Sequence, residues 1–176
     1  MISLADLLSR WHDFYELIGT AGATLVGLMF VTASIGAGVF TRDQKTAMQS
    51  FITPTVVHFS AILIICIVAI APDETWNLLG ALMIGGGLIG LGYSGWTVRR
   101  MVTGGYLAAI DASDRMWYVL LPIAGYGIVI AAGLRLEAHD ANGLRILALG
   151  LITLLLAGIR NAWDMTIWII QRRQPG

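Results

Sequence analysis

The residues with the most evident chemistry lie near the C-terminus, inside an apolar stretch that runs from Leu144 to Ile170. Arg160, Asn161 and Asp164 interrupt that stretch with two charges and an amide. Insertion scales assign a charge at the centre of a membrane helix a cost of about 2.5 to 3.5 kcal/mol, and such residues commonly serve ion or proton pathways. Arg160 and Asp164 have i, i+4 spacing, so they can pair on one helix face. Two interpretations follow: a structural ion pair at the membrane boundary, or a functional polar site within the membrane.

A second polar group lies in the apolar stretch that follows residue 46. Ser50, Thr53 and His58 are its candidates for lining an aqueous path. Pro54 directly follows Thr53, which predicts that a helix begins or bends there and leaves carbonyl groups for hydroxyls or water to satisfy. His58 is the only histidine or charged residue of this stretch. Because imidazole titrates near neutral pH, we expect His58 to be either an interhelical hydrogen-bond partner or a group that senses or relays protons.

One side of the first apolar stretch carries small and polar side chains at helical spacing. In chain order these residues are Glu16, Gly19, Thr20, Ala23, Gly27 and Ser34. Gly19, Ala23 and Gly27 form two small-xxx-small steps, which let helix backbones approach closely, so they are predicted to pack against another helix. The alternative is a pore-lining face in a homo-oligomer, where the carboxylates of Glu16 form a cation-attracting ring at the outer mouth. The spacing fits both interpretations.

The third apolar stretch is rich in glycine, and Gly86 and Gly90 are predicted to be helix-packing positions. Segments 85–90 and 90–95 also match the glycine fingerprint of dinucleotide-binding proteins. That fingerprint works only between a strand and a helix, where the glycines admit a pyrophosphate to the helix N-terminus. Both matches lie instead inside a long charge-free run, so a dinucleotide site is excluded.

These residues require a membrane fold to position them. The chain has 176 residues, of which 57% are hydrophobic and 12% are charged, against about 25% charged in soluble domains. Helices of about 20 apolar residues cross the hydrocarbon of a bilayer, and no alternating strand pattern occurs. The chain is therefore predicted to be a single all-α membrane domain over residues 1–176, with five transmembrane helices near residues 15–40, 47–71, 76–98, 116–135 and 144–168.

Residues 3–14, before the first span, are expected to form a short interfacial helix, and the alternative is an ordinary lead-in to that span. Leu4, Leu7, Leu8 and Trp11 share one face there that suits the headgroup region of a membrane. A cleavable signal peptide is not predicted, because the following apolar run is longer than the 7 to 15 residues of a signal core.

Charge and cysteine usage exclude several classes of function. Eleven basic residues balance eleven acidic ones, so no net field attracts nucleic acid. Cys66 is the only cysteine, and the three histidines lack metal-ligand spacing. No cofactor, no metal site and no catalytic residue is therefore predicted.

The basic residues predict an orientation in the membrane. Five spans place the termini on opposite sides, and most of the basic residues fall on the side of the C-terminus: Arg42, Lys45, Arg99, Arg100, Arg115, Arg172 and Arg173. The positive-inside rule then puts the C-terminus in the cytoplasm and the N-terminus outside.

Two segments carry a resemblance to known proteins. Residues 14–31, FYELIGTAGATLVGLMFV, and residues 53–59, TPTVVHF, resemble stretches of uncharacterised small multi-pass inner-membrane proteins of bacteria. The resemblance implies a location in the bacterial inner membrane. It implies no activity and no catalytic residues.

Three functions agree with these features. The first is a homo-oligomeric ion channel or small-solute pore, because five helices of this size can hardly enclose a path alone. The second is a non-catalytic partner or regulatory subunit that packs against another membrane protein through its glycine-rich faces. The third is a lipid-acting enzyme with His58 as base and Asp164 as its orienter. The third is disfavoured, because no motif supplies an activated nucleophile.

Overall fold

A computed structural model of the protein describes residues 3–37, 42–72, 75–103 and 115–172, with side chains omitted for 36–52, 168, 169, 171 and 172. In chain order the helices are α1 (Leu4–Ala37), α2 (Arg42–Ile70), α3 (Trp76–Thr103), α4 (Leu121–Glu137) and α5 (Asn142–Arg172), and a π-helical turn, Met116–Leu120, leads into α4. No strand occurs in these described ranges. Five helices are long and apolar enough to cross a membrane. The predicted all-α fold with five membrane helices is confirmed.

The predicted interfacial helix over residues 3–14 is not a separate element, because α1 continues without a break from Leu4 to Ala37. Neither glycine nor proline occurs between Leu4 and Ile18 to interrupt it. The helix begins at a capping residue: the hydroxyl oxygen of Ser3 accepts a hydrogen bond from the backbone N–H of Asp6 at 3.1 Å. The first three turns of α1 therefore extend beyond the apolar part of the same helix.

Consecutive helices run antiparallel. Gly19 of α1 lies against Cys66 of α2, while Gly22 lies against Phe59. Residue numbers therefore rise along α1 as they fall along α2, so the two helices have opposite directions. The same relation holds between α3 and α4 and between α4 and α5. We call the end of the bundle that holds the start of α1 the N-terminal end, and the opposite end the C-terminal end.

The helices surround one core. α2 contacts α1, α3 and α5, and α5 also contacts α1 and α4. At the N-terminal end, the hydroxyl of Tyr15 donates a hydrogen bond to the carbonyl of Leu144 at 2.7 Å and thereby ties α1 to the first turn of α5. Gly80 and Gly133 face one another with no side chain between them, which brings the backbones of α3 and α4 together.

The turn between α4 and α5 places a histidine in an unusual conformation. The N–H groups of His139 and Asp140 donate to the carbonyls of Leu136 and Arg135, at 2.8 and 2.9 Å. This is the Schellman arrangement, and the residue after its cap adopts the left-handed conformation that favours glycine. His139 has a φ of 57°. Its ring packs on Trp76 at the start of α3, with 5.7 Å between ring centroids.

Candidate functional site

The most distinctive polar contact of the core joins α2 to α4. The Nδ1 atom of His58 lies 2.9 Å from the hydroxyl oxygen of Tyr126, and both side chains are buried, with 4% and 0% of their surface exposed. One of these groups donates and the other accepts, according to the tautomer of the imidazole. Each residue thus satisfies the other in a place where an unpaired polar group would cost several kcal/mol.

Glycines make room for the rings of this region. The Tyr126 ring lies directly over Gly90 of α3, where any Cβ atom would overlap it. In the same way, the ring of Phe59, the neighbour of His58, fills the space that a Cβ atom at Gly158 of α5 would take. Glycine in α3 and α5 therefore allows the aromatic side chains of α4 and α2 to enter the core.

The His58–Tyr126 pair lies deep in the bundle. Tyr126 stands near the middle of the span from Met116 to Glu137, roughly 15 Å from either end at 1.5 Å of rise per residue. That is about half the thickness of a bilayer's hydrocarbon. The pair is thus placed where water is scarcest.

A series of aromatic side chains connects this pair with the C-terminal end. The ring of Tyr93 lies edge-on to His58, with 6.4 Å between centroids, and 5.8 Å from the ring of Trp96. The guanidinium of Arg100 stands over Trp96 at 4.9 Å, a cation–π contact at the end of α3. Exposed tryptophan beside arginine is typical of the boundary between membrane and water.

Apart from Tyr15, the buried residues with polar side chains that the structure describes lie between the level of His58 and the C-terminal end. Among the described residues these are Thr55, His58, Ser94, Thr97 and Asn161. The hydroxyl oxygen of Ser94 and the side-chain oxygen of Asn161 are buried without a hydrogen-bond partner. Unsatisfied buried polar atoms are rare in folded proteins, and a bound water or ligand is a common reason for them.

The N-terminal half of the core has a different character. Its fully buried side chains are apolar, apart from the hydroxyl of Tyr15, and include Leu79, Met83, Ala132, Leu136, Leu144 and Leu147. The core is therefore divided by depth into an apolar N-terminal half and a partly polar C-terminal half.

The structure separates the three polar residues near the C-terminus of α5. Arg160 and Asp164 form an ion pair with each other, and their side chains are 37% and 28% exposed. Asn161 points into the core and is 3% exposed. His58 pairs with Tyr126 and Asp164 pairs with Arg160, so the base and orienter of the enzyme hypothesis do not meet.

The small and polar positions of α1 also divide. Gly19 packs against Cys66, whereas Glu16, Thr20, Ala23 and Ser34 are exposed, and the space around Gly27 is open for 4 Å. The exposed hydroxyl of Ser34 donates to the carbonyl of Phe30 within its own helix. Most of the predicted face therefore points away from the protomer's own core.

At the N-terminal end, that face finishes in a group of exposed titratable side chains. The Nδ1 atom of His12 lies 3.5 Å from Asp13 and 3.8 Å from Glu16. One nitrogen and two carboxylate oxygens fall within 4.8 Å of one another here. Exposed acidic groups commonly adopt such positions in water, and we assign no metal to them.

The remaining predicted positions are scattered. Thr53 is exposed near the C-terminal end, and the side chain of Ser50 lies outside the described residues. A Cβ atom at Gly86 would have no neighbour within 4 Å, whereas the Tyr126 ring packs against Gly90. Neither Thr53 nor Gly86 joins the buried polar group.

Tyr126 and Ser94 are the residues that sequence reasoning missed. Tyrosine in the middle of an apolar span, away from the aromatic belts at the membrane boundary, is an available signal for Tyr126. Ser94 offers no such signal, because serine readily bonds to its own helix in any surrounding.

Comparisons of the chain with protein-family models, with curated proteins and with solved structures gave no match.

Proposed function

We propose that the protein assembles as a homo-oligomer in the bacterial inner membrane and forms an ion channel or small-solute pore whose wall is the outward side of α1. The observation that carries this proposal is the exposure of that helix. Only 17% of an apolar 18-residue window of α1 is buried within the protomer, against 33% to 50% of the corresponding windows of the other four spans. A helix that contributes so little to its own core has most of its surface left for a neighbouring copy.

The chemistry of the outward side supports a pore wall. Thr20, Gly27 and Ser34 follow one another along it, and the carboxylate of Glu16 lies at its N-terminal end. Phe30 is 63% exposed between Gly27 and Ser34 and would supply a hydrophobic constriction of the kind that gates by dewetting. The acidic mouth favours cations over anions.

A path between protomers is preferred to a path within one. The N-terminal half of the protomer core is filled by buried apolar side chains such as Leu79, Met83 and Leu147. Ions cross apolar packing of this kind only at great cost. In a symmetric ring of protomers, a central path lined by the α1 helices avoids that apolar packing.

Flux through proteoliposomes that contain only this protein tests the proposal. We expect the unaltered protein to conduct cations. Glu16→Gln should lower its selectivity for cations over anions several-fold, and Phe30→Ala should increase the rate of flux. Leu28→Ala is the matched control, because Leu28 is exposed on a different side of α1. Its flux should equal that of the unaltered protein.

The oligomeric state in detergent is the second measurement. A monomer without flux under any pH or voltage would overturn the pore. If that monomer co-purifies in a fixed ratio with one other membrane protein, the role of a non-catalytic partner or regulatory subunit replaces it.

A further inference from the structure

We infer that the end of α3 carries a binding site for the phosphate group of an anionic membrane phospholipid. The site consists of Trp96, Arg99 and Arg100, whose side chains are all exposed on the surface of the bundle. It needs one protomer only, so it is independent of the pore proposed between protomers.

The guanidinium of Arg100 is turned back toward the middle of the membrane. It stands 4.9 Å from the centre of the Trp96 ring, and Trp96 precedes Arg100 by one helical turn. An arginine near the end of a membrane helix ordinarily extends its side chain outward to water. The cation–π contact instead holds this charge against the side of α3, next to an indole that is 51% exposed.

The depth of this charge matches the boundary between lipid headgroups and acyl chains. α3 has 28 residues and is therefore about 42 Å long, close to the thickness of a bilayer with its headgroups, about 40 to 45 Å. Trp96 precedes Thr103, the last residue of the helix, by about 10 Å. A guanidinium beside Trp96 thus lies at the level of the lipid phosphates.

No acidic side chain in the described part of the protein neutralises these arginines. Arg99 and Arg100 make no ion pair there. Asp164 is the only acidic residue at the C-terminal end whose side chain the structure describes, and it is paired with Arg160. A guanidinium without a carboxylate keeps its N–H donors for another anion, and its shape suits bidentate binding of phosphate. At this depth, phospholipid supplies that phosphate.

The site is ordered before a lipid arrives. The ring of Tyr93, which is half-buried, lies 5.8 Å from the ring of Trp96 on the side away from the helix end. Along α3, Trp96 therefore contacts an aromatic ring before it and a cation after it. Because these contacts already restrict the side chains, less conformational entropy is lost when a headgroup binds.

Lipid binding to the purified protein tests the inference. Native mass spectrometry from detergent gives the dissociation constant of the first bound lipid, measured with phosphatidylglycerol and with phosphatidylcholine of the same acyl chains. Both lipids contain a phosphate, but only phosphatidylglycerol has a net negative charge. We expect phosphatidylglycerol to bind more tightly by about fivefold or more.

Substitutions at the site should weaken that binding. Arg100→Gln should raise the dissociation constant of phosphatidylglycerol about fivefold, the effect of one cationic side chain at a membrane surface. Trp96→Leu removes the cation–π contact and should raise it about two- to fivefold, whereas Trp96→Phe should restore part of the affinity. Arg145→Gln is the matched control, because Arg145 is exposed at the opposite end of the bundle. Its affinity should equal that of the unaltered protein.

Three results would overturn the site. The first is an equal loss in Arg100→Gln and Arg145→Gln, because the lipid would then respond to net charge alone. The second is equal affinity for the two lipids. The third is complete displacement of the lipid by millimolar inorganic phosphate, which would assign the arginines to a free anion. If Arg100→Gln does not fold, Arg99→Gln takes its place with the same expected loss. Flux is not measured, so the pore and this site can fail separately.

Discussion

The ring of Tyr126 lies against the backbone of Gly90 with no room for a Cβ atom between them. A methyl group at this position must displace the ring that holds His58. Since overpacking of a core costs about 1 to 3 kcal/mol, Gly90→Ala should lower the thermal stability of the purified protein in detergent by a corresponding amount.

Gly92→Ala and Gly86→Ala are the matched controls on the same helix, because both positions have open space around them. Alanine is the better helix former, so these variants should be as stable as the unaltered protein or slightly more so. Equal losses in all three would mean that the Tyr126 ring is not fixed by Gly90.

The His58–Tyr126 bond should appear as a coupling energy between the two residues. Tyr126→Phe leaves the Nδ1 atom of His58 unpaired in the core, and His58→Leu leaves the hydroxyl of Tyr126 unpaired. Each change should cost about 1 to 3 kcal/mol of unfolding free energy. The double variant removes both polar groups together and should cost less than the sum, by about 0.5 to 3 kcal/mol. Strict additivity, measured by unfolding in detergent, would contradict the bond.

The five spans were predictable because charge is excluded from hydrocarbon over a known length. The partner of His58 was not predictable from the sequence. Tyr126 is 68 residues away in sequence, and no local pattern joins positions on two helices that are not consecutive. The continuity of α1 does not follow from the sequence either, since an amphipathic start before an apolar run suits one helix as well as two.

Which side of a membrane helix faces the core is the larger difficulty. Lipid is as apolar as packed leucine, so the periodicity that orients a helix in a soluble protein is lost. Asn161 is buried while its neighbour Arg160 is partly exposed, and Gly90 is packed while Gly86 is open. Such differences depend on helix rotation, which follows from contacts with distant parts of the chain.

The Arg160–Asp164 pair should contribute little to stability. Both side chains are about one-third exposed. On the boundary interpretation, in which water reaches the pair, such pairs are worth about 0 to 1 kcal/mol. Arg160→Gln and Asp164→Asn, each measured by thermal unfolding, should therefore change stability by no more than that. Asn161→Ala is the contrasting variant on the same turn, because it removes a buried side chain. A large loss in Arg160→Gln alone would indicate that the charge is needed in the interior.

The left-handed conformation of His139 predicts a difference between two substitutions. A residue other than glycine pays about 1 to 2 kcal/mol in this region. His139→Gly removes that strain and loses the ring contact with Trp76, whereas His139→Ala keeps the strain and loses the same contact. Thermal unfolding should therefore rank His139→Gly above His139→Ala. The reverse order would mean that the turn changes conformation when the ring is absent.

Asp140, in the turn between α4 and α5, should make stability depend on pH. Its carboxylate accepts a hydrogen bond from the backbone N–H of Asn142 at 2.9 Å and faces the guanidinium of Arg135 at 3.3 Å. The Asn142 bond, with the Arg135 charge as a smaller contribution, holds the pKa of Asp140 below its ordinary value. A group whose pKa is lowered by folding stabilises the folded state above its unfolded pKa, and that contribution is lost as the pH falls through the folded pKa.

Asp140→Asn should therefore lower the melting temperature at neutral pH, and the difference from the unaltered protein should shrink as the pH is lowered below about 4, the ordinary range of an aspartate. Asp13→Asn is the control, because Asp13 is exposed at the same end of the bundle and lies in a helix rather than at a helix start. A difference between Asp140→Asn and the unaltered protein that is constant with pH would show that shape, and not charge, is what Asp140 supplies to the first turn of α5.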